Sequence, residues 1–438
     1  MKYFGTDGIR EKADKFTPEF LTKIIAGLVN YAGDTVSVFL AGDTRESTEW
    51  ILADLESALE TFGIEYINAG VLPTPAINYC FFKMGFDFAI DVTASHNPYT
   101  DNGIKIFERG HTHGKKLNKK AREAIEKVLS SEKPYSLIAP TLREHINTDA
   151  IILYKEHLES YIGEANFSDL KIGLDCANGA TSIIGDSIFR ELGASTTLIN
   201  ADQNYNTKIN HHCGSTHLEE ISDLVTKNHL DFGIAFDGDG DRVLMVDENG
   251  QTVDGDEIIA ILANYLKLDK IAITVMANQG LLNWAKANHI FAQITDVGDQ
   301  NVVEAMIEKN IEIGGEQSGH IILPGECTGD GYLTALMITK IISETKKPLS
   351  QLASIITKSP QVIVNLEVTK TQKVSFATST VANAIISQFT EKVKPINGRL
   401  LVRPSGTENL IRITVWGDNK DKITALANDL KSSLSERL

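Results

Sequence analysis

Cysteine is scarce in this 438-residue sequence, and the few present do not cluster. Cys80, Cys176, Cys213 and Cys327 lie far apart and form no CxxC pair, which argues against a disulfide framework or a zinc site and fits a reducing cytosol. Long apolar runs are missing too. None approaches the roughly 18 residues that span a bilayer, and the opening MKYFGTDGIR carries no apolar signal region, so the chain reads as cytoplasmic with no membrane partner. Positive charge is in deficit: 42 Lys and Arg stand against 58 Asp and Glu, a formal net charge of −16. That disfavours nucleic acid, whose phosphate backbone needs a basic face. A small phosphate ester stays open as a substrate, because a few arginines can focus positive potential inside an acidic protein.

No low-complexity stretch or long Pro/Gly/Ser linker interrupts the chain, and 42% hydrophobic with 23% charged residues is ordinary for a folded protein. The length exceeds one hydrophobic core. Short apolar runs alternate with amphipathic segments. Residues 36–43 predict a strand, 48–63 and 74–84 helices, and 86–92 a strand. After a helix near 149–162 the pattern restarts: strand 170–177, helix, strand 195–200, helix from about 218, strand 231–237. A third round follows, with strands 270–276, 291–297 and 311–315 separated by helices. Asn249-Gly250, flanked by apolar residues, predicts a hairpin turn between the second and third rounds. From about 362 the pattern is strand, helix near 376–393, two strands, then a helix from about 421. The fold class is therefore α/β: three mixed, mostly parallel α/β domains (1–147, 148–248 and 249–361) followed by a smaller α+β domain (362–438).

The densest chemical signal is Asp237-Gly238-Asp239-Gly240-Asp241-Arg242, directly after an apolar strand. Three carboxylates within five residues repel one another unless a cation neutralises them, and oxygen-only ligation suits a hard ion such as Mg²⁺. An EF-hand would use the same aspartates with Glu248 at its twelfth position, but Arg242 stands where that loop needs glycine. A phosphatase of the haloacid dehalogenase class also places Asp-x-Asp after a strand, yet it leaves the next motif idle. That motif, Thr93-Ala94-Ser95-His96-Asn97-Pro98, ends another predicted strand, where α/β sheets place ligands. Ser95 can carry a phosphoryl group, and Lys105 in Asn102-Gly103-Ile104-Lys105 can serve as a general acid or base if neighbouring cations depress its pKa. Gly315-Glu316-Gln317-Ser318-Gly319-His320 offers Glu316 and Ser318 to sugar hydroxyls. Arg403-Pro404-Ser405-Gly406-Thr407-Glu408, with Arg412 close behind, has the makings of a phosphate cradle.

These four segments, with Phe4-Gly5-Thr6-Asp7-Gly8-Ile9-Arg10 at the start, resemble the α-D-phosphohexomutase superfamily in order along the whole chain. FGTDGIR, SHNPYTDNGIK, DCANGA, CGSTH, FDGDGDR and GEQSGH look most like its bacterial phosphoglucosamine mutase branch. The resemblance implies a reversible exchange between glucosamine 6-phosphate and glucosamine 1-phosphate through a sugar bisphosphate, feeding UDP-N-acetylglucosamine. It implies a phosphorylated Ser95 and one Mg²⁺ held by Asp237, Asp239, Asp241 and the Ser95 phosphate. Lys105, His96, Arg10, Arg242 and His320 would handle protons and transition-state charge. Glu316 and Ser318 would read the sugar, and Arg403, Ser405, Gly406, Thr407 and Arg412 would hold the non-reacting phosphate. The implied architecture sets the three α/β domains and a TATA-binding-protein-like fourth around a central cleft, and it leaves room for a homodimer.

Three positions depart from the family pattern: Gln300 stands where arginine usually follows Val297-Gly298-Asp299, Asn409 where proline is usual, and Glu11 where glycine is usual. The histidines His111, His113, His211 and His212 show no ligand spacing and read as surface or structural. A phosphomannomutase/phosphoglucomutase shares the chemistry with a different sugar, and the phosphatase reading stays as the rival of another class.

Overall fold

The computed structural model describes residues 2–5, 7–33, 35–111, 113–132, 135, 148–376, 378–405 and 409–437. The chain forms two compact units, Met1–Thr274 with Gln293–Ser354, and Val275–Ala292 with Ile355–Leu438.

The first unit contains three sheets. In the first, β1 (Ile9–Lys12), β2 (Ser37–Gly42), β3 (Glu65–Val71), β4 (Phe88–Val92) and β5 (Asp101–Arg109) lie in the order β1-β5-β4-β2-β3, with β6 (Gly114–Lys116) beside β5. β2 runs parallel to β3 and β4, whereas β5 is antiparallel to β1, β4 and β6. Helices α1 (Pro18–Ala32), α2 (Glu46–Thr61) and α4 (Lys119–Leu129) share a core with this sheet, and α3 (Thr74–Met84) packs against β2 and β4. Helix α1 shows the local logic: the Thr17 hydroxyl accepts from the Phe20 amide, Pro18 opens the first turn, and Leu21, Ile24, Ile25 and Leu28 bury one face.

The second sheet takes β7 (Lys171–Asp175), β8 (Ser195–Ile199), β9 (Phe232–Phe236), β10 (Val243–Asp247) and β11 (Thr252–Val253) in the order β11-β10-β9-β7-β8. Helices α6 (Ser187–Glu191) and α7 (Glu219–Asn228) pack on it, whereas α5 (Thr148–Ile162) packs against α3. The third sheet has the order β13-β12-β14-β15, from β12 (Lys270–Thr274), β13 (Phe291–Thr295), β14 (Gly314–Gly315) and β15 (Ile321–Ile322). Next come α8 (Gly255–Tyr265), α9 (Gln279–Ala287), α10 (Asp299–Lys309), α11 (Gly331–Thr345) and α12 (Leu349–Ala353), of which α9 belongs to the second unit. That unit also holds an antiparallel sheet, β16 (Gln361–Glu367), β18 (Leu410–Trp416) and β17 (Arg399–Pro404) in spatial order, with α13 (Lys370–Phe376), α14 (Thr380–Val393) and α15 (Lys420–Ser435). Leu366, Phe389, Ile411, Ile413, Ile423 and Leu430 form its core, an α+β arrangement.

The three sheets of the first unit are mixed, as expected: the first two run parallel toward one edge (β4-β2-β3 and β9-β7-β8) and antiparallel toward the other, and the third pairs β12 parallel with β14 and β14 antiparallel with β15. Several details differ from the sequence reading: strand β3 was not predicted, and the strand expected over 311–315 is only Gly314–Gly315. The helix expected after the 170–177 strand is a single 3₁₀ turn and the five-residue α6, because Ala177 and Asn178 take left-handed backbone angles. Residues 101–109, noted only for the Asn102–Lys105 motif, form the long strand β5, and residues 9–12 pair with it. The helix expected over 376–393 starts at Thr380, where the Ser379 hydroxyl caps it, and α13 precedes it. The Asn249-Gly250 turn does form, and its hairpin closes the edge of the second sheet. All four cysteines are free.

Three sheet-end loops, after β4, β7 and β9, meet backbone to backbone. A methyl group on Gly179 would lie 2.4 Å from the Gly238 carbonyl oxygen, and one on Gly238 would lie 2.6 Å from that of Ser95. Neither contact involves a flexible side chain that could step aside. Gly179→Ala should therefore destabilise the protein by roughly 1–3 kcal/mol through forced backbone shifts. Gly5→Ala, whose methyl would meet only the Gly8 oxygen at 3.6 Å, should change stability little. Denaturant unfolding of both variants checks this, and equal midpoints would contradict it.

Candidate active site

Strand β4 ends at Val92 and the chain turns through Ser95 before returning as β5. The Ser95 side chain is buried, and its backbone sits at φ +53°, a left-handed conformation that costs a non-glycine residue energy. Its carbonyl accepts from Arg45 Nη2 and Asn210 Nδ2, both at 2.8 Å, and its amide donates to Thr93 Oγ1 at 2.9 Å. So held, the Ser95 hydroxyl lies 2.7 Å from Asp237 Oδ2 and 3.3 Å from His96 Nδ1.

Asp237 opens the loop that follows β9. Asp237, Asp239 and Asp241 are all buried, and each offers a carboxylate oxygen within 4.8 Å of the other two. Burial first, then Asp239 and Asp241, push the Asp237 carboxyl well above the usual carboxylate range. Asp241 goes the other way, to about 2: burial opposes its ionisation, but Lys105, His320 and Arg242 outweigh that effect. Asp239 Oδ1 and Asp241 Oδ1 are buried without a hydrogen-bond partner. Orphaned carboxylate oxygens converging with a third carboxylate are what a hard divalent cation needs, so the residues fit an oxygen-ligated metal. Glu248 is not part of this group. It accepts from the Ser350 amide at 3.3 Å and from the Ser350 hydroxyl, which removes the EF-hand arrangement.

Lys105 rises from β5 into the same cluster, with Nζ 2.6 Å from Asp239 Oδ2, 3.1 Å from Asp241 Oδ2 and 3.5 Å from Asp7 Oδ2. Neighbouring cations were expected to lower its pKa, and the structure corrects this. Burial lowers it, but Asp239, Asp241, Asp7 and Asp91 together hold the ammonium well above its ordinary value. A charged Lys105 can donate a proton and stabilise anionic oxygen, but it is not poised as a base.

Around this centre the structure gathers most of the other candidates. Arg10 pairs with Asp7, which also pairs with Lys116, and Lys116 reaches Asp299. Arg242 Nε lies 3.8 Å from Asp241 Oδ1, and Arg242 bridges to His320 backbone to backbone. His320 Nε2 accepts from the Gly329 amide at 3.2 Å. The His96 imidazole is pushed down to about 4, by burial first and then by Arg242 and Arg10. Glu316 and Ser318 sit on the tight turn between β14 and β15, where the Ser318 hydroxyl donates to Glu316 Oε2 at 3.3 Å and the Gly298 amide to Glu316 Oε1 at 3.2 Å.

In the second unit Arg403 on β17 and Arg412 on β18 are direct register partners, which puts two guanidinium groups on one face of the sheet. The Ser405 amide donates to the Leu410 carbonyl at 2.8 Å across the intervening loop. Gly406 and Thr407 lie outside the described residues. Gln300, the departure from the family pattern, donates to Glu304 on its own helix.

Sequence reasoning missed Asp7, Asp43, Arg45, Lys116, Asn210 and Asp299 as parts of the site. Asp7 and Asp299 lay inside quoted motifs, and Asp43-Thr44-Arg45 follows a predicted strand, a signal as good as the one used for Ser95. Asn210 gave none, since 115 residues separate it from the carbonyl it binds.

Comparison with known proteins agrees with this geometry. The chain matches "Phosphoglucomutase/phosphomannomutase, alpha/beta/alpha domain I" over residues 1–136, domain II over 153–250, domain III over 254–359 and the C-terminal domain over 363–433. It is 41% identical to a phosphoglucosamine mutase of Caldicellulosiruptor saccharolyticus and 42% identical to one of Caldicellulosiruptor bescii, covering 100% of this chain and 99% of each relative. Among solved structures, a phosphoglucomutase/phosphomannomutase family protein from Burkholderia thailandensis shares the fold, with a TM-score of 0.74 at 19% identity over 98% of this chain and 96% of that one. The chain belongs to the phosphoglucomutase/phosphomannomutase family of the α-D-phosphohexomutase superfamily, in its phosphoglucosamine mutase branch.

Proposed function

We propose that this enzyme interconverts glucosamine 6-phosphate and glucosamine 1-phosphate through a phosphorylated Ser95 and a bisphosphorylated sugar. The observation that carries the proposal is the Ser95 hydroxyl at 2.7 Å from Asp237, inside a cluster of three buried carboxylates. In the forward half-reaction the bond from Ser95 Oγ to phosphorus breaks as a sugar hydroxyl attacks, and the hydroxyl proton leaves to a base. The bisphosphate then turns over, and its other phosphoryl group returns to Ser95 Oγ. Asp237, Asp239 and Asp241, together with the Ser95 phosphate, would hold one Mg²⁺, which when bound draws charge off the transferring group.

The remaining roles follow from chemistry. Lys105, held charged, supplies a proton to the departing serine oxygen or steadies its negative charge. Arg10 and Arg242 offset charge on the phosphoryl oxygens, and neutral His96 is in reach of the Ser95 hydroxyl to exchange its proton. His320, tied to the Arg242 backbone, completes this group. Glu316 and Ser318 read the sugar, with Glu316 suited to the ammonium of an amino sugar. Arg403, Ser405, Gly406, Thr407 and Arg412 grip the phosphate that is not reacting, and the paired register of Arg403 and Arg412, which sets both guanidinium groups on one face of the sheet, supports this.

A coupled assay comparing glucosamine, glucose and mannose phosphates tests the substrate, and kcat/KM should be highest for glucosamine. Preference for mannose phosphate would overturn the sugar assignment but not the chemistry. Chelation should abolish turnover and Mg²⁺ restore it, and Asp239→Asn should weaken Mg²⁺ binding measured calorimetrically at least tenfold by removing one charged ligand. Undiminished binding by Asp239→Asn would contradict the metal assignment.

His96 predicts a pH response. Its folded pKa lies below the ordinary histidine value of 6.5, so the unfolded chain binds the proton more readily. Stability from this group is complete above about pH 6.5 and is lost as pH falls toward 4, with about 2 kcal/mol gone at pH 5 as an upper bound. His96→Gln, neutral throughout, should lose less stability than wild type between pH 7 and pH 5. Parallel denaturant midpoints for the two proteins over that range would contradict the assignment.

A further inference from the structure

Arg45 is fully buried and belongs to no motif used above. It follows β2, and its guanidinium lies under the turn that carries Ser95. Nη2 donates to the carbonyls of Ser95 and Asn97, both at 2.8 Å. Nη1 donates to those of Pro98 at 2.5 Å and Asp101 at 3.1 Å, and Nε donates to Asp43 Oδ2 at 2.9 Å. All five N–H groups of the side chain are thereby used. Four carbonyls of one short turn point inward at a single cation, an arrangement that would repel itself open if the cation were absent.

Asp43 and Asn210 complete the arrangement. Asp43 Oδ2 also accepts from Thr93 Oγ1 at 2.6 Å, and Thr93 Oγ1 in turn accepts from the Ser95 amide. The amide and carbonyl of Ser95 are thus both fixed from the same buried ion pair. Asn210, from the segment between β8 and α7, donates Nδ2 to the same Ser95 and Asn97 carbonyls, at 2.8 and 3.2 Å. This ties the serine turn to the part of the chain that bears the aspartate loop. Left-handed Ser95 is the residue most in need of such support, since a relaxed φ would swing its hydroxyl away from Asp237.

We propose that Arg45, seconded by Asn210, is a positioning residue for phosphoryl transfer, holding Ser95 Oγ in line with the aspartate cluster through backbone carbonyls alone. The proposal rests on Ser95 being the carrier. Arg45 is fully buried and Asn210 nearly so, with their donors turned to Asp43 and main-chain carbonyls, so their loss should act on the transfer rate and leave substrate binding nearly unchanged. Lysine cannot replace Arg45, because three donors on one nitrogen cannot span four carbonyls and a carboxylate.

The test loads wild type, Arg45→Lys and Asn210→Ala with phosphate from a sugar 1,6-bisphosphate, quantifies phosphoserine by intact mass, and follows its loss to glucosamine 6-phosphate by quenched flow below the melting temperature of each protein. Arg45→Lys should slow single-turnover transfer about a hundredfold and Asn210→Ala about tenfold, with KM and the Mg²⁺ activation constant within about threefold of wild type. The double variant should lose less than the product of the two, because both side chains serve the same carbonyls. If Arg45→Lys does not fold, Asn210→Ala alone decides. Wild type that turns over without phosphate on Ser95 overturns the carrier reading and this proposal with it. A phosphorylated wild type whose folded variants transfer at its own rate, or fail only in KM, overturns this proposal alone.

Discussion

Three carboxylates held within 4.8 Å of one another in a nearly dry loop are the constraint around which the first unit is built. Like charges at that spacing repel strongly, and burial denies them the water that would screen the repulsion. The fold contains the strain by backbone fit and by charge. Gly179 and Gly238 let the aspartate loop rest on neighbouring main chain, and the Gly240 carbonyl accepts from the Gly331 amide at the start of α11. Lys105 bridges Asp239 and Asp241 from β5, and the Thr74 hydroxyl, from the first turn of α3, donates to Asp239.

The same constraint explains how a chain of net charge −16 handles phosphate esters. Lys105, Lys116, Arg10 and Arg242 collect beside the aspartates because each pairs with one of them or with Asp7 or Asp299. Local charge there is closely balanced, so fixed cations stand beside the aspartates while Asp239 Oδ1 and Asp241 Oδ1 keep no hydrogen-bond partner. The buried Asp43–Arg45 pair performs a separate task, shaping the serine turn rather than meeting the substrate.

Strand ends and the motifs on them were legible in the sequence because both depend on local pattern. Apolar runs of five or so residues located β2, β4, β7, β9 and β12, and the aspartate and serine motifs follow such strands directly. What faces a side chain from elsewhere in the chain was not legible. Lys105 was expected among cations and stands among carboxylates, since its partners are Asp7, Asp239 and Asp241 and spacing says nothing about them. The place of Arg45 just after a predicted strand was legible, but the acceptors that its guanidinium meets were not. Asn210 serves a carbonyl in another domain, and no periodicity encodes that contact. The short turn at 180–183 was missed because two left-handed residues, Ala177 and Asn178, break a segment whose composition suits a helix.

The account stands or falls on which side chain carries phosphate. Wild-type enzyme incubated with ³²P-labelled glucosamine 6-phosphate, Mg²⁺ and a trace of unlabelled sugar bisphosphate should acquire acid-stable label. Tryptic digestion should place that label in the Met84–Lys105 peptide, on Ser95. Label that is hydroxylamine-labile and maps to Asp237, as an aspartyl phosphate would, contradicts the account.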